Sequence, residues 1–170
     1  MKLKAEVVKV VTLAPSASPF GLSYSNNALY IADYNNGIQS LNLCDMSETI
    51  TTLVPSGEGC SQAHSVCVFE GMIYFTDTAK RQVLQVSQDQ NVSVVAGTGN
   101  SGIQDGLWNE CEFVQPTGLC FEGKTLYMCD AASGHIIVIT SLKGVLKYCT
   151  ILRDTYHAFN IHPDILGPGA

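Results

Sequence analysis

The sequence predicts an all-β fold: a partial β-propeller of about three four-stranded antiparallel blades plus flanking strands. Three observations predict it. Three segments superpose without gaps, and their shared Asp33, Asp77 and Asp130 recur after 44 and then 53 residues, the interval of a propeller blade. Between these marks the chain is a series of short apolar or alternating runs cut by turn residues, and no segment carries a convincing helical period. The composition fits a packed sheet protein, since 46% of the 170 residues are apolar and 14% charged, against roughly 25% charged in ordinary soluble domains.

The elements follow in order. Val7 to Leu13 reads as one strand with no partners before it, the outer strand of a missing or closing blade. Residues 20–25, 28–33, 37–43 and 49–54 are strand-like runs separated by Ser25-Asn26-Asn27, Tyr34-Asn35-Asn36-Gly37 and Asp45-Met46-Ser47 turn signals. A second unit supplies 65–69, 71–77, 81–87 and 92–96, and a third 117–121, 125–130, 135–140 and 145–152. Continuous β-branched stretches such as His135-Ile136-Ile137-Val138-Ile139 suit strands buried on both faces. Within a repeat region 5–155, this places blades at about 18–54, 62–96 and 114–152, leaving 156–170 as the start of an incomplete further unit or a tail.

The repeat is specific. Pro19-Phe20-Gly21-Leu22 leads to Leu29-Tyr30-Ile31-Ala32-Asp33, Ala63-His64-Ser65-Val66 to Ile73-Tyr74-Phe75-Thr76-Asp77, and Pro116-Thr117-Gly118-Leu119 to Leu126-Tyr127-Met128-Cys129-Asp130. In each, the Tyr precedes the Asp by three residues and the first residue precedes it by fourteen. The third unit carries more: Val94-Val95-Ala96-Gly97-Thr98-Gly99, then Asp105-Gly106, Cys111-Glu112-Phe113, Pro116-Thr117-Gly118-Leu119 and the Leu126–Asp130 run. Over these residues the chain resembles the NHL-repeat family. The first unit keeps Pro19, Gly21, Leu22, Tyr30, Asp33 and Asn36, while the second departs from the pattern with Ala63, Ser65 and Val66. The resemblance implies a β-propeller, usually six-bladed. It also implies a protein-interaction or ligand-binding scaffold, with metal-dependent lyase or hydrolase propellers and RNA-binding propellers as the other activities found on such folds.

A blade has two apolar faces, and leaving either in water costs about 25 cal/mol per Å². Closed propellers have about four to eight blades, so further blades, a second copy or a partner are expected to cover the open edges of three. With 9 basic against 15 acidic side chains the net charge is −6, the wrong sign for gripping phosphate backbones, and nucleic acid is not an expected partner. No apolar run approaches a membrane span. Met1-Lys2-Leu3-Lys4-Ala5-Glu6 lacks the core of a signal peptide. Together with an odd number of cysteines, this leans the expected location to the cytoplasm.

The seven cysteines form no Cys-x-x-Cys pair. Cys67, Cys120, Cys129 and Cys149 lie in apolar runs and read as small hydrophobes between sheets, while Cys60 and Cys111, in loop-like stretches, could pair under oxidising conditions. The repeated Asp33, Asp77 and Asp130 raise a catalytic or calcium reading. Side chains recurring just before a turn more simply cap backbone N–H groups. Tyr30, Tyr74 and Tyr127 recur as amphipathic packing. No metal site and no cofactor are expected: His64 and His157 are isolated, no Gly-x-Ser-x-Gly elbow occurs, and Gly97–Gly102 reads as Gly-x-Gly-x-x-Gly with no helix after it. The feature that breaks the repeat is the stretch Gly97–Phe113. Its Asn100, Gln104, Asp105, Trp108, Asn109 and Glu110 are the candidate binding surface, with the single tryptophan among amides and acids and no Lys or Arg.

Overall fold

The computed structural model describes residues 11–44, 49–142 and 145–152. They form three antiparallel sheets, and no helix occurs among them. The first sheet runs in chain order through β1 (Pro19–Ser25), β2 (Ala28–Asp33), β3 (Gly37–Asn42) and β4 (Ile50–Pro55). The second does the same with β5 (Ala63–Phe69), β6 (Met72–Asp77), β7 (Gln82–Val86) and β8 (Val92–Ala96). The third holds β10 (Pro116–Glu122), β11 (Thr125–Asp130), β12 (His135–Leu142) and β13 (Val145–Leu152), with a short fifth strand, β9 (Gly106–Leu107), on its outer edge. Each of the twelve four-stranded-sheet members lies within two residues of the run that the periodicity marks. β9 is too short for any periodicity to mark.

The repeat is visible in the backbone itself. Each first strand slips register at the same place: between Pro19 and Gly21, between Ala63 and Ser65, and between Pro116 and Leu119. Such a bulge bends the strand and increases its twist. The three first strands lie side by side, with β5 against both β1 and β10. Gly21 is required by this approach, because a Cβ there would stand 2.8 Å from the Cα of Ser65. At the next junction the same repeat position is Ser65, and its hydroxyl accepts the Leu119 N–H at 3.1 Å. Thr76 adds an O–H donated to the Thr117 carbonyl at 2.6 Å. The departure of the second unit from the repeat thus ties its first strand to the third sheet.

Two cores lie between the sheets. Ala32, Ile38 and Val54 of the first sheet meet Ala63, Val66, Phe75, Leu84 and Val86 of the second, together with Cys60. Tyr74, Val83, Val95 and Ala96 of the second meet Leu126, Met128, Ile137, Ile139 and Cys149 of the third, together with Cys111 and Phe113. The Phe121 ring seals this second core, edge-on to Tyr74 at 4.9 Å and stacked on Phe69 at 4.4 Å.

Several expectations need correction. Val11, Thr12 and Leu13 are not in a strand, and the remainder of the strand expected over Val7–Leu13 lies outside the described residues. The tail from Tyr156, with His157, also lies outside them. The stretch His135–Ile139 is buried on one face only: Ile137 and Ile139 are buried, but Ile136 is 46% exposed. Cys120 and Cys129 are exposed rather than packed between sheets, while Cys60, in the connection between β4 and β5, is buried. The cause is one of direction. Cys129 pairs with Ile136 across the strands, so both point to the side of the third sheet that has no neighbouring sheet among the described residues.

Candidate functional site

The repeated aspartates are buried and occupied. Asp77 accepts the N–H groups of Ser61 at 2.6 Å, Gln62 at 3.2 Å and Lys80 at 3.0 Å. Asp130 does the same for Val114 at 2.7 Å, Gln115 at 3.0 Å and Ser133 at 3.3 Å. Each carboxylate joins the turn after its strand to the segment entering the first strand of the same sheet. Asp33 accepts from Ser18, Asn35 and Asn36 through Oδ1. Its Oδ2 has no partner, because the Ala17 N–H that would complete the pattern turns to the Ala14 carbonyl. Burial pushes the Asp33 carboxyl up, but the hydrogen bonds from Ser18, Asn36 and Asn35 together hold it below its ordinary value of 3.8.

The three tyrosines occupy one repeat position in different surroundings. Tyr30 packs against the first inter-sheet core and Tyr74 lies within the second. Tyr127 is half-buried on the unpartnered side of the third sheet. His64 packs against Phe20, with ring centroids 4.7 Å apart and the planes tilted by 34°, and burial lowers its pKa from the ordinary 6.5. Among the described residues, no three His, Cys, Asp or Glu side chains group so as to hold a metal ion.

The segment from Gly97 to Phe113 is a tightly bonded loop. Gly97 starts it with a φ of 104°, and a Cβ there would stand 2.6 Å from the Arg81 carbonyl oxygen, so glycine is required. Its N–H donates to the Trp108 carbonyl at 2.9 Å, and the Thr98 N–H donates to Cys111 at 3.0 Å. Gln104 and Glu112 exchange backbone hydrogen bonds of 3.4 and 3.1 Å across the loop. Two of the candidate binding side chains are used internally: Gln104 donates to the Glu110 carbonyl at 3.1 Å, and Asn100 donates to the Glu112 carboxylate at 3.2 Å. β9 then fastens the loop to the outer edge of the third sheet, where Gly106 lies opposite Cys149 and Leu107 opposite Tyr148.

Asn100 and Gln104 stay exposed all the same, and the loop's outward surface is more apolar than the sequence suggests. Trp108 is 37% exposed, Asn109 and Glu110 are exposed, and Asp105 is half-buried. Ile103 and Leu107 join them at 44% and 43% exposed. Sequence reasoning misses these two because an isolated Ile or Leu in a loop is expected to turn inward. Only the pairing of β9 shows that the loop backbone is already anchored without them. A groove of about 260 Å³ lies between Tyr30, Leu53 and Ile73, below the roughly 300–1,000 Å³ usual for small-molecule sites.

The cysteine arrangement also differs from expectation. Cys60 and Cys111 belong to different inter-sheet cores, so they do not face each other. Burial and the nearby Asp77 charge push the Cys60 thiol up to about 12. Cys111 instead meets Cys149, with the sulfurs 3.0 Å apart. The hydrogen bond between them holds Cys111 below its ordinary value of 9.0, and the same bond, with burial, pushes Cys149 up.

No family model matches the sequence, and no curated protein matches it. Solved structures do. A protein of unknown function from Bacteroides thetaiotaomicron is similar with a TM-score of 0.64 and 19% identity, over 78% of this chain and 35% of its own. An auxiliary nutrient binding protein from Bacteroides ovatus gives 0.60 and 16%, over 78% and 35%. The virginiamycin B lyase of Staphylococcus aureus gives 0.55 and 14%, over 80% and 42%. The chain therefore spans between a third and a half of the length of these propeller-like structures. At such identities the likeness is one of fold, and the fold of this chain is that of a set of β-propeller blades.

Proposed function

We propose that the chain is an NHL-type propeller segment that works as a non-enzymatic interaction scaffold, binding a protein partner through the loop between its second and third blades. The observation that supports this is the exposure of Ile103, Leu107 and Trp108 on a loop whose backbone is fixed by internal hydrogen bonds and by β9. An aromatic anchor on an ordered backbone loses little conformational freedom on binding, the property that makes Trp a frequent interface hot spot. Glu110 is exposed beside Leu107 and Trp108, and the loop carries no Lys or Arg of its own. A suitable partner presents an apolar side chain flanked by Lys or Arg.

Selection from a displayed peptide library on the immobilised chain tests the reading. The expected ligands are apolar-basic, and Trp108→Ala weakens them by at least about tenfold, the loss of a modest hot spot. Ligands that bind the Trp108→Ala and Leu107→Ser variants as well as the parent, or no enrichment at all, would refute it. Stoichiometric zinc or calcium in the purified protein would favour the lyase or hydrolase alternative instead.

A further inference from the structure

We propose that Cys111 and Cys149 are a disulfide-forming pair that covalently fastens the loop of residues 97–113 to the outer strand of the third blade. Both residues are buried, 0% and 1% exposed, and among the described residues theirs are the only two sulfurs in direct contact. At 3.0 Å the sulfurs stand only about 1 Å beyond the roughly 2.05 Å of a disulfide, so small side-chain movements close the gap. The backbone already holds the two ends together. Cys149 lies opposite Gly106 in the β9–β13 pair. Cys111 closes the turn beyond β9, its N–H donating to the Leu107 carbonyl at 2.9 Å.

The chemistry needs a named oxidant, and a low-molecular-weight disulfide such as oxidised glutathione supplies it. The Cys111 thiolate attacks one sulfur of that disulfide, forming a mixed disulfide and expelling one thiolate. Cys149 then loses its proton and attacks the Cys111 sulfur, forming the protein disulfide and expelling the second thiolate. Two protein thiols are oxidised, one small disulfide is reduced to two thiols, and no other reactant is consumed. The two thiols are interchangeable in these steps, because the hydrogen bond that distinguishes them is made only when the sulfurs are already together. Since both sulfurs are out of solvent, exchange proceeds while the two-residue β9 edge is open, during folding or on fraying. Once closed, the same burial shields the bond from reductant.

The closed ring spans 38 residues and includes β10, β11 and β12, so it removes freedom from the unfolded chain across most of the third blade. The bond forms whether or not the loop binds a partner, and failure of the peptide selection above leaves it intact.

The test equilibrates the unaltered chain in oxidised and reduced glutathione mixtures, both in refolding and in the native state, followed by acid trapping. Refolding under oxidising conditions is expected to lower the intact mass by about 2 Da, the two hydrogens lost in forming one disulfide. Non-reducing peptide mapping is expected to join the Cys111 and Cys149 peptides, and Tm to rise by about 5–15 °C over the reduced form. A C44S/C120S/C129S variant, lacking only the exposed thiols, gives the same link without intermolecular products and does not depend on a core substitution folding. Both thiols remaining free at full oxidant in parent and variant, or a link mapped to Cys60–Cys111, overturns the proposal.

Discussion

Removal of the Asp77 carboxylate is the sharpest probe of how a blade holds together. Asp77→Ala leaves three backbone N–H groups, those of Ser61, Gln62 and Lys80, without acceptors. All three residues are half-buried, so water recovers part of the loss, and each orphaned donor costs about 1 kcal/mol, near the low end of its range. The sum is about 3 kcal/mol, which for a chain of this size lowers Tm by about 6–12 °C. Asp77→Asn costs less. Its oxygen still accepts from Gln62 and Lys80, and the loss is confined to the Ser61 N–H, which then faces an amide donor. Urea unfolding followed by Trp108 fluorescence and by circular dichroism measures both variants. The exposed Asp89→Ala serves as control, with an expected change within about 0.5 kcal/mol. An Asp77→Ala midpoint equal to that of the control, or a loss seen only when calcium is present, would refute the capping role and turn attention to a metal.

Other outcomes follow from the same geometry. Ile38 and Ile136 sit at one repeat position, opposite Ala32 and Cys129 respectively, yet are 0% and 46% exposed; Ile38→Ala is expected to cost about 2–5 kcal/mol and Ile136→Ala under about 1.5 kcal/mol in urea unfolding. The lowered Asp33 carboxyl contributes stability that is whole above its ordinary value of 3.8 and is lost as pH falls through its lower folded value. Asp33→Asn should therefore flatten that part of the acid limb of the urea midpoint against pH. Gly97→Ala places a Cβ against the Arg81 carbonyl at a φ of 104°; it should destabilise by about 1–3 kcal/mol and speed amide exchange at Gly106 and Leu107.

Much of the fold was legible because its causes are local. Alternation and turn residues mark each strand, and the register slips at Gly21, Ser65 and Leu119 fall in the segments where the sequence repeats. The aspartates stood out because one hydrogen-bonding task recurs at one place in each unit. The candidate site was only half legible. Asn100 and Gln104 are polar residues in a loop, and sequence alone does not distinguish an amide that bonds its own loop from one that awaits a ligand. Ile103 and Leu107 became visible as surface only once β9 was paired. The cysteines were misread for a related reason: Cys111 and Cys149 meet through a strand pairing of two residues, while Cys120 and Cys129 lie on the side of the third sheet that has no neighbouring sheet among the described residues. Which thiols touch is a property of the stacking, not of the spacing along the chain.

The central claim is that each sheet hides its apolar side against the next, and through-space proton contacts in solution test it most directly. Aromatic-labelled nuclear Overhauser spectra should show cross-peaks between the rings of Tyr74 and Phe121, 4.9 Å apart, and between those of Phe20 and His64, 4.7 Å apart. Spectra that contain the within-sheet contacts of Tyr74 with Cys67 and Gln85 but neither of these inter-sheet peaks would contradict it.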